Sequence, residues 1–268
     1  MKWRSVGAVL MSCVVLLCSG SIGRLPSVDT SHAVVASVRE VALPNLTVPD
    51  YLTLGNYPQL ASTELHLAAA NAGIRLAIRK DERTFASWAS QEEKTHGINT
   101  RRIIRAAYGV YEIRLPSQQL AVNSALVSML LEKVTGCPSG CEWVESWLAI
   151  TVTTSSGANV ALAKQLFRDP NRATAALAHI VQREVLSGKS DAELCIQNAK
   201  PEQGYTTTLF VSDDLALTVH GLAVGLPEGQ IGPDSCGALQ VTVPYDDLTL
   251  FLSTSGSSLV RGLSSPSS

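Results

Sequence analysis

The spacing of apolar positions changes along the chain, and the changes lay out its elements. Over residues 64–93 apolar side chains recur three and four apart: Leu65, Ala69, Ala72, Leu76, Phe85 and Trp88, with Leu67, Ile74 and Ile78 widening the stripe. This predicts an amphipathic helix, with Ser62 or Thr63 able to cap its start. Gly73 inside it costs about 1 kcal/mol relative to alanine, so a bend or a close contact is expected there. The run RKDER at residues 79–83 is expected to form a solvated mixed-charge face rather than a binding patch. Upstream, residues 34–48 predict one short edge strand broken by Pro44 and Pro49, and residues 51–60 an extended entry into the helix.

Beyond a loop at residues 96–100 the period drops toward two. Strands are predicted over residues 108–115, over the long run 119–134 and over 142–154. The turn GCPSGC joins the last two as a hairpin with Cys137 and Cys141 at its tip. A turn at residues 155–157 leads to a short strand and helical turn at 158–167. Asp169 then caps a helix that has Pro170 at its first position and Ala173, Ala176, Leu177, Ile180, Val181 and Val185 as its buried stripe; Gly188 ends it. Ser190 or Asp191 starts a short helix carrying Cys195. Residues 207–211 and 215–219 read as a hairpin, residues 221–237 as a long Gly- and Pro-rich loop, residues 238–243 as a strand, and Pro244 opens a helix through Phe251. The sum is an α+β single domain, a mixed or antiparallel sheet with helices packed on one face.

Composition adds compartment and removes some functions. The first residues join a basic start, Lys2 and Arg4, to an apolar run at residues 6–18 and then to small residues, the pattern of an export signal over residues 1–23. Two rivals stand beside cleavage. The uncharged run 5–23 is near the length that spans a bilayer, so it could stay as an anchor, the only membrane contact expected. Cys13 or Cys18 could carry a lipid, although Met11 and Leu17 fit that poorly. Residues 24–36 then form a spacer, residues 37–253 the exported domain and residues 254–268 a Ser-rich disordered tail. The formal charge is −2, and losing Lys2 and Arg4 makes it more negative. That balance argues against a nucleic-acid partner.

Four cysteines lie outside the signal: Cys137, Cys141, Cys195 and Cys236. An even number in an exported chain favours two disulfides over a metal site. Of the three pairings, closing Cys137 with Cys141 is cheapest in chain entropy and leaves Cys195 with Cys236.

No constellation of catalytic residues emerges. The five histidines lack metal-motif spacing, and no G-x-S-x-G or H-E-x-x-H occurs. His179 and His220 read as a helix-surface and a strand-end residue. Asp213–Asp214 suits a turn and Asp246–Asp247 the first turn of a helix, where the backbone dipole favours negative charge. No cofactor or metal is implied. The one candidate for binding is the expected loop, through Leu222, Gly225, Glu228, Gly229, Gln230 and Gly232.

The order of elements also resembles a known family. YPQL precedes a helix carrying Asn71; QLFRD (165–169) precedes the next long helix; LFVSDDLALTVHGLAVG leads to VTVPYDDL (241–248). This is similar to a domain-of-unknown-function family found in the extracellular part of lysozyme-sensing anti-sigma factors and in a mycobacterial secreted immunogenic protein. The resemblance covers about residues 41–253. It departs where Cys137 to Cys141 replace a Gly-Gly-Ala-His type segment, and around Leu222 to Gly225, which lack an aromatic–acidic pair. With five residues ahead of the apolar run, no cytoplasmic anti-sigma region is expected. The resemblance, with a composition of actinobacterial type, implies an exported, non-enzymatic protein. It would be secreted or held in the cell envelope and bind a protein or a peptidoglycan-related ligand, a lysozyme-type muramidase among them. A membrane-anchored sensor ectodomain and a hydrolase with an unfamiliar site are the rivals.

Overall fold

The structure is a computed structural model that describes residues 37–43, 51–96, 109–116, 120–136, 143–187, 191–198 and 214–264. The expected export signal, the spacer, the hairpin tip with Cys137 and Cys141, and the strand at 207–211 lie outside these residues.

The fold is α+β, with mixed and antiparallel pairing, in one domain. The strands divide into two sheets. The larger holds β1 (Ser37–Ala42), β2 (Tyr51–Ala61), β3 (Gly109–Arg114), β4 (Leu120–Val122), β5 (Leu126–Gly136) and β6 (Val144–Thr153). Its order is β1-β2-β3-β5-β4, with β6 along the other side of β5; only β2 and β3 run parallel. The smaller sheet is antiparallel: β7 (Leu215–Leu217), β8 (Leu222–Leu226) and β9 (Leu239–Val243).

Strand periodicity assigns the layers. Tyr111, Ile113, Val127, Met129, Leu131, Ile150 and Val152 pack with Ile74, Ile78 and Phe85 of helix α1 (Ala68–His96). The alternate residues of β5 and β6, among them Leu130 and Trp147, pack against Ala216 and Ala223 of the small sheet. The outer face of that sheet is covered by α2 (Leu162–Leu166), α3 (Pro170–Val185), α5 (Tyr245–Leu248) and α6 (Thr254–Ser264), around Leu217, Leu222, Val224, Val241 and Val243. Each sheet thus carries helices on one face, and the bare faces meet. Gly225 sits at that meeting: a Cβ there would lie 2.5 Å from the Trp147 ring. Buried Ser128 stitches the sheets, bonding Thr151 at 2.8 Å and accepting the Leu217 N–H at 2.8 Å.

Several expectations are corrected. The run 119–134 is a tight hairpin of β4 and β5; Asn123 Oδ1 accepts the Ala125 and Leu126 N–H groups and turns the chain. Residues 51–60 form a full strand, because their backbone pairs with both β1 and β3. The helix starts at Ala68, later than residue 64, and its buried stripe is Leu67, Ala70, Ile74, Ile78, Phe85 and Ala89, whereas Leu76 and Trp88 are exposed. The close contact expected at Gly73 exists: a Cβ there would strike the backbone of Gly157. Asn71 clamps β2, accepting the Leu60 N–H at 2.9 Å and donating to its carbonyl at 2.8 Å. Asp169 and Pro170 start α3 as expected.

Two larger corrections concern the C-terminal third. The expected loop over residues 221–237 contains β8, the central strand of the small sheet, whose five residues are all buried. Gly225 masks the strand signal, because a side chain there would collide with Trp147. The expected disordered tail from residue 254 begins with α6, which buries Leu259, Val260 and Leu263. Its serines occupy the outer face and the cap: Ser253 Oγ accepts the Gly256 N–H at 2.9 Å.

Candidate functional site

The residues expected to form a binding loop fall into two settings. Leu222 and Gly225 are closed inside the small sheet and present no surface. Glu228, Gly229, Gln230 and Gly232 form a turn after β8. The Glu228 N–H bonds the Glu145 carbonyl at 3.1 Å, and Gly232 packs on Ile196 of α4 (Asp191–Asn198). Cys195 of α4 is joined to Cys236, as the cysteine pattern predicted, so this turn is tied at its far end. None of these residues lines the cleft described next.

That cleft, of about 400 Å³, opens at one end of the small sheet. Its walls are the turn between β7 and β8, the start of α5 and the exposed side of α6. Val219, Pro244, Tyr245, Leu252 and Val260 give it apolar surface; His220, Asp246, Thr249, Ser257 and Arg261 give it polar groups of both signs. The walls are fixed from behind. The Thr218 hydroxyl donates to the Gly221 carbonyl at 2.9 Å and accepts the N–H groups of His220 and Gly221 at 3.2 and 3.1 Å. The Tyr245 hydroxyl donates to the Thr218 carbonyl at 2.7 Å, tying α5 to the turn. Burial pushes the Tyr245 phenol well above its ordinary range, so it stays a neutral donor to that carbonyl. Arg261 lies along α6, its Nε donating to the Ser257 carbonyl at 3.2 Å.

This arrangement can hold an amphipathic ligand carrying charge. No hydrogen bond joins the His220 ring to a carboxylate or hydroxyl among the described residues. Among those residues no group of three or more His, Cys, Asp and Glu could hold a metal ion, and no helix is long and apolar enough to cross a membrane. His220 and Asp246 were visible in the sequence as isolated polar residues. Arg261 and Ser257 were hidden by the expected tail; the signal for them was the apolar spacing Leu259, Val260, Leu263 in a serine-rich run.

A second ionisable group lies under α1, away from the cleft. Asp81 accepts the Tyr111 hydroxyl at 2.9 Å and both its oxygens lie 3.2 Å from Lys133 Nζ. The neighbouring Glu82 is buried in the helix's core stripe, and among the described residues neither carboxylate oxygen has a hydrogen-bond partner. Burial pushes its pKa up to about 6, opposed by the charges of Arg79 and Arg83. Burial first, then Asp81, pushes the Tyr111 phenol far above its usual range. The expected solvated face of RKDER is therefore corrected: its acids turn inward and its bases outward, because helical periodicity places residue 82 on the line of residues 74, 78, 85 and 89.

These elements define a two-sheet α+β domain with a cleft at the end of its smaller sheet. Among solved structures, the chain is similar to a member of the DUF3298 family from Bacteroides fragilis, 12% identical over 88% of this chain and 99% of that one, with a TM-score of 0.51. A DUF3298 family protein from Pseudomonas aeruginosa aligns at 16% identity over 85% of this chain and 98% of that one, with a TM-score of 0.46. The structural neighbours are thus members of a domain-of-unknown-function family, and the likeness to the first shows a shared fold. No family model matches the chain, and no curated protein matches it.

Proposed function

We propose that this is an exported, non-catalytic binding protein, secreted or held in the cell envelope, that takes a peptide-bearing ligand in the cleft between the β7–β8 turn, α5 and α6. The observation that carries the reading is the cleft itself: apolar Val219, Pro244, Tyr245, Leu252 and Val260 line it together with His220, Arg261 and Asp246. Such a site suits a short peptide segment with an apolar side chain and charges of both signs. A protein partner such as a lysozyme-type muramidase and the stem peptides of peptidoglycan both offer this chemistry. The Cys195–Cys236 disulfide supports an oxidising compartment, and the basic start followed by an apolar run supports export. The family resemblance, extending to anti-sigma ectodomains and to a secreted immunogenic actinobacterial protein, supports the same role. Retention of the uncharged run 5–23 as an anchor would make the chain a sensor ectodomain instead.

The test is a binding titration of the purified chain against soluble peptidoglycan fragments and against lysozyme, with Arg261→Ala and His220→Ala as variants. Saturable binding at micromolar concentration, weakened about tenfold by Arg261→Ala, is expected. No binding by the wild-type chain, or equal binding by all variants, contradicts the proposal.

A further inference from the structure

The outer face of α1 differs from the rest of the surface. From Ala72 to Gln91 the described exposed side chains include Arg75, Arg79, Lys80, Arg83 and Trp88, and none is acidic. The whole chain carries a formal charge of −2, so four cations on the exposed arc of one helix are a segregation, not an average. The carboxylates that would neutralise them point the other way: Asp81 is held by Lys133 and Tyr111, and Glu82 is buried. Among the described residues none of the four cations is held in an ion pair. Arg75, Arg79 and Arg83 follow one another at steps of four residues, a row with a charge about every 6 Å along the axis.

Trp88 adds a platform. It is 41% exposed, its ring lies 5.8 Å from that of buried Phe85, and with Lys80, Arg83, Thr84 and Ser87 it borders a shallow depression of about 540 Å³. A fixed indole face, a row of cations and nearby hydroxyls match a polymer of sugar rings bearing carboxylates. A membrane surface fits less well, because the two exposed apolar residues, Leu76 and Trp88, stand about 18 Å apart along the helix with cations between them. A nucleic acid fits less well too: this face has one aromatic for stacking, and the chain as a whole is negative.

We propose that the outer face of α1 binds an anionic polysaccharide, its carboxylates paired with Lys80 and Arg83 beside the depression and one sugar ring packed on Trp88. This site is separate from the cleft at the small sheet, so Arg261→Ala leaves it unchanged. The experiment measures binding of the purified chain to polygalacturonate, with dextran, a single-stranded oligonucleotide and phosphatidylglycerol vesicles as comparisons. Polygalacturonate is expected to bind in preference to all three. Lys80→Glu with Arg83→Glu should weaken it about tenfold and flatten its salt dependence. Trp88→Ala should weaken it about fivefold with the salt dependence kept, and Trp88→Phe should restore most of the loss. Circular dichroism and an unchanged unfolding midpoint verify that each variant folds. Failure to bind polygalacturonate, indifference to these variants, or stronger binding of the oligonucleotide or the vesicles overturns the proposal.

Discussion

The two sheets are built on opposite principles. The large sheet meets a single long helix, and that interface admits polar groups: a buried Glu82, the Asp81–Lys133 pair and the Tyr111 hydroxyl. The small sheet meets four helices across a layer of leucines, valines and alanines, and it is cross-linked nearby by Cys195–Cys236. The first interface holds a buried carboxyl group; the second is almost wholly apolar and lies near a covalent cross-link. The cleft stands on this second frame, where a binding site gains from preorganised walls.

The largest effect should come from the frame. Replacing Cys195 and Cys236 by serine opens a loop spanning 41 residues. Loop entropy then predicts a loss of up to about 4 kcal/mol in urea unfolding. A loss near zero would mean that the cross-link does not hold the frame.

Truncation of the central small strand comes next. Leu222→Ala empties a fully buried position and should cost about 3 kcal/mol. The same change at Leu76, exposed on α1, should cost about 0.5 kcal/mol or less. Equal costs would remove the distinction between core and surface drawn here for the two positions.

A further effect has the opposite sign. Glu82 has a folded pKa of about 6 against an ordinary 4.5, so the folded state binds its proton more tightly than the unfolded state does. Below about pH 4.5 it is protonated in both states and costs nothing by this route; as pH rises through 6 the chain loses about 2 kcal/mol. Glu82→Met should therefore stabilise the chain at neutral pH, and the gain should shrink on acidification. A variant less stable than wild type at neutral pH would show that Glu82 has a partner worth more than its burial costs.

The same contrast explains what could be read in the sequence. The hairpin of β5 and β6 was legible from its two long apolar runs about a short turn, although Leu126 to Leu131 is buried on both faces. Strand β8 is buried on both faces, which erases alternation, and its Gly225 imitates a loop. Helix α6 is short and serine-rich, and its few apolar residues resemble a tail until they find Leu166 and the small sheet to cover. Helix α1 was legible as a helix but not in phase. Leu76 and Trp88 were counted inside because they are apolar, and Glu82 outside because it is charged; packing against β3 and β5 reversed both. The cleft was illegible for a simpler reason. It joins residues 219–220, 244–249 and 257–261, which are brought together only by the turn of β7 into β8 and the return of α6.

The most direct test of this account is a calorimetric titration of the purified chain with soluble peptidoglycan stem-peptide fragments and, separately, with lysozyme. The wild-type chain should bind one of the two saturably at micromolar concentration, and Arg261→Ala should bind it about tenfold more weakly. Absence of saturable binding to both, or an affinity that Arg261→Ala leaves unchanged, would contradict the cleft as the site of function.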